Sequence, residues 1–289
     1  MIIGDNRDKV IENIKEAANN RNFTAKVEIG DPQMSLEERS KLVDDFWKKQ
    51  KGLKSKFNND MGRVMLNAFA HTLSATTEIK GLKNLQNLPR GGAIVTANHF
   101  NQTDALTIKR LAQKCHHKLS IVIEDTNLML PGFFRYLMNY IGTIPLVNSP
   151  SYIGSKFPKH LHDALEDNNW VLIFPEQEMW WNYRKPRKPQ RGAYYFAAKQ
   201  NVPIISTFVE IQATDKLEKG SDEFYQTKYI VHILPTIYPD NTLNANQNSK
   251  KMMEQDYKQK VAAYEKNYGK KLDYDFTEWD IAGWKGKQK

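Results

Sequence analysis

Gly92-Ala93-Ile94-Val95-Thr96-Ala97-Asn98-His99-Phe100-Asn101-Gln102-Thr103-Asp104 is the stretch that decides the fold. Residues 93–97 are small or β-branched and carry no charge, which reads as a buried strand. A short polar turn follows, and a helix is expected to start near Thr103. A buried strand feeding a helix through a tight turn is the building unit of an α/β sheet. It puts His99 at the mouth of the strand and Asp104 in the first helical turn. Such sheets hold ligands beyond the carboxyl ends of their strands. An aspartate placed there can accept a hydrogen bond from one imidazole nitrogen. That fixes the tautomer and leaves the other nitrogen free to act as a base.

A histidine followed by an aspartate five residues on is a common coincidence, and the chain has a second example in His162 and Asp167. That pair falls inside an expected helix, where positions five apart point about 140° away from each other. It reads as a solvated helix face. His116 and His117 are adjacent, would point apart on a helix, and have no carboxylate spaced to join them, so no metal is expected.

Working outward, further strands are expected at 77–79, 119–124, 143–147, 170–174, 204–210 and 229–235. Helices are expected between them near 102–115, 132–141, 155–167 and 191–200. The fold class is therefore α/β, a mixed, mostly parallel central sheet flanked by helices. Before it, Val10, Ile11, Ile14 and Ala18 keep helical spacing, and Ser35-Leu36-Glu37-Glu38 has the form of a capping box. Leu36, Leu42, Val43, Phe46 and Trp47 form one apolar stripe, and Phe57, Met61, Val64, Met65, Ala68, Phe69 and Leu73 form another. These helices either pack on the core or lay one face on a membrane surface. Three segments are expected within one structural domain. Residues 1–76 form an N-terminal helical extension, 77–240 the core, and 241–289 a C-terminal helix with a frayed tail from Lys285.

The 289 residues include 42 Lys and Arg against 33 Asp and Glu, a net charge of +9. That excess favours polyanionic partners: an anionic membrane face, a phosphate-bearing substrate or nucleic acid. One cysteine, Cys115, excludes an internal disulfide and a multi-cysteine zinc site. No apolar run reaches the length of a membrane span, and the first residues lack the apolar core of a secretion signal. A cytoplasmic protein peripherally attached to the inner face of the cell membrane is expected. Abundant Lys and Asn fit a bacterial source.

The residues also carry a family resemblance. Asn98-His99-Phe100-Asn101-Gln102-Thr103-Asp104 resembles the NHxxxxD block of the glycerolipid acyltransferases, the 1-acyl-glycerol-3-phosphate acyltransferase family. Val171-Leu172-Ile173-Phe174-Pro175-Glu176 resembles that family's strand followed by FPEG. Arg191-Gly192-Ala193 matches its basic-Gly-Ala element, and Val202-Pro203-Ile204-Ile205 its last block. Gly142-Thr143-Ile144-Pro145-Leu146-Val147 is a weaker version of the second block. The blocks stand in the family's order over about a third of the chain. The chain departs from the pattern where the family has a glycine (Gln177), two arginines (Met179 and Asn148) and a proline (Ser206). Those arginines are associated with the acceptor's phosphate, so the departures leave the acceptor open.

The resemblance implies an acyltransferase-like fold and transfer of a fatty acyl group from acyl-CoA or acyl-carrier protein to a lysophospholipid hydroxyl. No cofactor is needed beyond that co-substrate. His99 is the implied base and Asp104 its orienter; Asn98 and Glu176 support the site. Arg184, Arg187, Arg191 and Gly192 are candidates for holding the acceptor. Three of these lie in Met179-Trp180-Trp181-Asn182-Tyr183-Arg184-Lys185-Pro186-Arg187-Lys188-Pro189-Gln190-Arg191, which packs five basic residues into eight positions. Arginine suits bidentate phosphate contacts. Trp180, Trp181 and Tyr183 would sit at headgroup level, line an acyl channel, or pack a surface loop on the core. The residues 128–138, rich in apolar and aromatic side chains, have the character of an interfacial helix. Two other readings stay open: an acceptor that is a glycolipid or envelope polysaccharide precursor, and a non-catalytic lipid-binding protein. Nucleic acid is not an expected partner, because no reading motif accompanies the charge.

Overall fold

A computed structural model describes residues 6–30, 32–73 and 75–286. Three helices come first: α1 (Arg7–Asn19), α2 (Leu36–Lys49) and α3 (Leu53–Leu73). The α/β body follows as β1 (Glu78–Lys80), β2 (Ala93–Thr96), α4 (Asp104–Lys114), β3 (Leu119–Glu124), α5 (Gly132–Tyr140), β4 (Thr143–Leu146), α6 (Phe157–Glu166), β5 (Trp170–Ile173), α7 (Gly192–Gln200), β6 (Ile204–Leu217) and β7 (Tyr225–Ile233). A last long helix, α8 (Ala245–Tyr268), precedes an irregular C-terminal segment.

The strands form one sheet in the order β1-β7-β6-β2-β5-β3-β4. Every pairing is parallel except β6 with β7. The sheet is thus mixed and mostly parallel, as its sequence alternation predicts. The β6–β7 hairpin is longer than the apolar pattern indicated, because its outer half is largely polar and is held mainly by strand pairing.

Alternate residues along each strand feed separate apolar layers. Ala93, Val95, Leu119, Ile121 and Leu172 join Leu106, Ile108, Leu111, Leu66 and Ala70 on one face. Ile94, Val171 and Ile204 join Leu161, Tyr194, Ala197 and Met252 on the other. The Ser35 capping box forms as read, with Glu38 closing it. The α3 stripe does not face inward as a whole. Leu66 and Ala70 reach the core, whereas Phe57 is 65% and Val64 62% exposed, with Met61 also outside. Leu36 of α2 is exposed too.

α1 buries Val10, Ile11, Ile14, Ala17 and Ala18 against Trp180, Trp181, Tyr183, Phe224 and Ile281. The segment after α8 continues across the same region. Tyr183 bridges Ile281, and the Ala282 N–H donates to the Asn182 carbonyl at 2.9 Å. The expected fraying therefore does not begin at Lys285, whose N–H donates to the Glu223 carbonyl at 3.0 Å; residues 287–289 lie outside the described residues.

Candidate active site

β2 runs between β5 and β6 with both pairings parallel, so the loops leaving β2 and β5 emerge side by side at the carboxyl edge. His99 stands on the first loop and Glu176 on the second. Asn98 fixes where β2 stops: its side-chain amide donates to the Val209 carbonyl at 3.1 Å and accepts from the Val209 N–H at 2.8 Å. The buried side chain thereby replaces a strand partner for β6 and frees the backbone to turn.

The turn is built around Asp104. One carboxylate oxygen receives the Phe100 N–H at 3.0 Å and the Asn101 N–H at 3.3 Å, and lies 2.7 Å from His99 Nδ1. An ionised carboxylate only accepts, so the imidazole must carry its proton on Nδ1 and leave Nε2 as the basic nitrogen. Asn101 closes the loop into the helix by accepting from the Thr103 N–H and hydroxyl, both at 3.0 Å. The imidazole stacks on Phe174 with ring centres 4.1 Å apart and planes 14° apart. Ring stacking and the carboxylate together hold the imidazole in one orientation.

Glu176 ties the two loops together. Its carboxylate accepts the His99 N–H at 3.2 Å and the Arg187 N–H at 2.9 Å, and pairs with the Arg187 guanidinium at 3.0 Å. Glu176 and Arg187 are only 3% and 2% exposed. Burial draws the Arg187 pKa below its ordinary value, and Glu176 opposes that pull. The guanidinium also donates to the carbonyls of Phe23 (3.0 Å), His99 (3.3 Å) and Glu178. Arg187 is thus a bracket between the His99 turn and the N-terminal segment.

The basic insert differs from the exposed phosphate loop that its composition predicts. Arg184 donates to the Ile211 carbonyl at 3.3 Å and to that of Trp279, and its guanidinium lies 4.5 Å from the Trp279 ring centre. Lys185 pairs with Asp273 at 3.0 Å and Asp280 at 2.9 Å. Trp180, Trp181 and Tyr183 are buried rather than at a headgroup surface. The physical reason is coverage: α1 and the C-terminal segment wrap the insert and supply carbonyls and carboxylates for its cations. Only Lys188 and Arg191 of the five basic residues stay exposed. Gly192, the first residue of α7, has nothing within 4 Å of where a Cβ would sit, so the space before that helix is open.

Gln177, where the family has glycine, adopts φ 65°, the left-handed conformation that glycine favours. The position thus takes a conformation suited to glycine although the residue is glutamine. His162 bonds Gln200 at 2.9 Å, on an exposed helix face away from Asp167. Cys115 caps the far end of α4 from Asp104, and burial pushes its thiol pKa up. The Thr103 and Asp104 amides donate to the Asn101 side-chain oxygen and carbonyl, at 3.0 and 3.1 Å. No group of three or more potential ligands that could hold a metal occurs among the described residues.

Some site contacts had no sequence signal. Trp180 Nε1 donates to the Ala25 carbonyl at 3.0 Å, and Phe23 packs on Tyr274 with ring centres 4.3 Å apart. Arg39 of α2 pairs with both Asp125 and Glu124 (3.0 Å), at the carboxyl end of β3. Such partners lie far apart in sequence and obey no local period.

Residues 78–210 match the model of the Acyltransferase family, a span that includes both loops of the site. The match to the Acyltransferase model covers a little under half of the chain, so it records a similarity to that family over the part that carries the site. Among solved structures the chain is similar to the 1-acyl-sn-glycerophosphate (LPA) acyltransferase PlsC from Thermotoga maritima. The TM-score is 0.52 at 16% identity, covering 83% of this chain and 100% of that one. Likeness at that identity establishes a shared fold. No curated protein matches the chain in sequence.

Proposed function

We propose that the chain transfers a fatty acyl group from acyl-CoA or acyl-carrier protein to the free hydroxyl of a lysophospholipid such as 1-acyl-glycerol-3-phosphate. The observation that carries this reading is the 2.7 Å contact between His99 Nδ1 and Asp104, which leaves Nε2 free at a strand end. Nε2 takes the hydroxyl proton as the oxygen attacks the thioester carbonyl. The tetrahedral intermediate then collapses with cleavage of the C–S bond, and the imidazolium returns its proton to the departing thiolate. Asp104 stabilises the imidazolium between these steps. No acyl-enzyme is required. Asn98 and Glu176 position the turn, Arg187 braces it, and Arg191 with Gly192 borders the acceptor's approach; Arg184 contributes through the insert.

Membrane attachment in this reading rests on the outer faces of α3 and α5. Phe57, Met61 and Val64 on one, and Phe133 and Phe134 on the other, are exposed apolar residues. No helix among the described residues is long and apolar enough to cross a membrane.

A glycolipid or polysaccharide-precursor acceptor is the second reading. It is favoured by the internal pairing of Arg184, Lys185 and Arg187, and by Asn148 and Met179 where the family has arginines. The test incubates purified protein with acyl-CoA or acyl-carrier donors and a panel of lysolipids and glycolipids, reading products by mass spectrometry. His99→Ala and Asp104→Asn are each expected to lower the rate about 10²–10⁴-fold. Full activity in a folded His99→Ala protein rejects the mechanism; activity on sugars alone promotes the second reading.

A further inference from the structure

Lys109 sits in the middle of α4 and is 4% exposed, yet its ammonium has no hydrogen-bond or ion-pair partner among the described residues. One turn further along α4, Gln113 reaches α3 by donating to the Asn67 carbonyl at 3.3 Å. One turn back from Asn67 on α3 is Arg63. Its Nη1 is buried and likewise unpartnered. Its Nη2 lies against the turn before β4, where a Cβ on Gly142 would come within 2.4 Å of it. α3 can seat this deeply because Gly62 faces the Tyr140 carbonyl, where a Cβ would lie only 2.6 Å away.

Lys109 and the buried Nη1 of the half-buried Arg63 thus lie in one region without an anion in contact with either. Asp60 and Asp167 act on Arg63, but neither comes within ion-pair distance. Burial draws the pKa of both groups down, Lys109 to about 8 with the charge of Arg63 adding to the effect. Folded proteins retain buried charges where something satisfies them, by pairing or hydrogen bonding. A group with negative charge and several acceptor oxygens would satisfy both cations. A guanidinium edge beside a lysine point charge matches a tetrahedral oxyanion, and two positive charges balance a phosphate dianion.

We propose that Arg63 and Lys109 form a phosphate-binding site between α3, α4 and the turn at Gly142. It is separate from the His99 site. Gly142 immediately precedes β4, so Arg63 reaches the amino edge of the parallel strands, whereas His99 and Glu176 stand at the carboxyl edge. The inference does not depend on acyl transfer. The phosphate is either inorganic or the headgroup of a lipid met by the exposed apolar residues of α3.

Thermal unfolding of the full chain distinguishes these sources. Inorganic phosphate is titrated at constant ionic strength in one arm. In the other, phosphatidylcholine vesicles are compared with and without phosphatidate. Wild type, Lys109→Met and Arg63→Met are run in parallel. Wild-type Tm is expected to rise by about 5 °C at a hundredfold excess of phosphate over its dissociation constant. Lys109→Met is expected to melt above unliganded wild type and to lose the response. Stabilisation by phosphatidate alone assigns the site to a lipid headgroup, and stabilisation by both assigns it to any accessible phosphate. The proposal is overturned if neither stabilises wild type, or if the response survives in Lys109→Met. That variant decides alone should Arg63→Met fail to fold.

Discussion

Gln177 departs from the family pattern of glycine at a position whose backbone is left-handed. Its φ of 65° is open to any residue at a cost of about 1–2 kcal/mol, and to glycine almost freely. Gln177→Gly is expected to be neutral or stabilising by up to about 1 kcal/mol, the gain limited by the freedom glycine adds to the unfolded chain. Gln177→Val should be destabilised, because a β-branched side chain fits that conformation poorly. Urea unfolding of the two variants checks this; equal stability would show that the turn is not strained. Lys109 offers a pH-dependent counterpart. Its folded pKa of about 8 lies below its ordinary value, so the unfolded chain binds more protons between about pH 8 and 10.4. The destabilising charge is fully present below pH 8 and is relieved as pH rises through that window. In phosphate-free buffer, the stability advantage of Lys109→Met should therefore shrink by on the order of 2–3 kcal/mol across it. A constant difference from pH 7 to 10 would contradict the burial of that charge.

At the scale of elements, the loops after β2 and β5 act as one unit because Glu176 accepts from both. Its ion pair with Arg187 is buried, and breaking such a pair by removing one partner costs about 3–5 kcal/mol. Glu176→Gln keeps the shape but leaves the guanidinium without a counter-charge. It is expected to lose stability of that order in chemical denaturation as well as activity. An unchanged denaturation midpoint with lost activity would instead assign Glu176 to substrate contact. The insert 179–191 makes a related point. Its arginines and tryptophans have the composition of an interaction surface, but α1 and the C-terminal segment convert them into a second small core.

For the whole molecule, the proposed attachment to an anionic bilayer rests on the exposed apolar residues of α3 and α5 together with the +9 charge. Phe57→Ser with Val64→Ser should weaken binding to anionic vesicles by tenfold or more, since burying one phenylalanine is worth about 1.5–3 kcal/mol. High salt should weaken what binding remains. Cosedimentation measures both effects. Undiminished binding by the double variant would move the contact elsewhere.

The sheet and the His99–Asp104 turn were legible in the chain because both are local. β-branched runs mark buried strands, capping residues mark helix starts, and five residues across one turn bring an imidazole to a carboxylate. The same locality made the exposed pair His162 and Asp167 readable from neighbouring residues, whereas the left-handed φ of Gln177 emerged only from the structure. What the tertiary structure alone decided was the fate of charge and apolar surface. Arg184 and Arg187 lie inside because carbonyls from residues 23, 211 and 279 meet them, partners that sequence spacing does not reveal. Phe57 and Val64 lie outside, although they belong to an apolar stripe, because α3 turns Leu66 and Ala70, with Met65 and Phe69 beside them, to the core. Periodicity records which side chains share a face; only packing determines what that face meets.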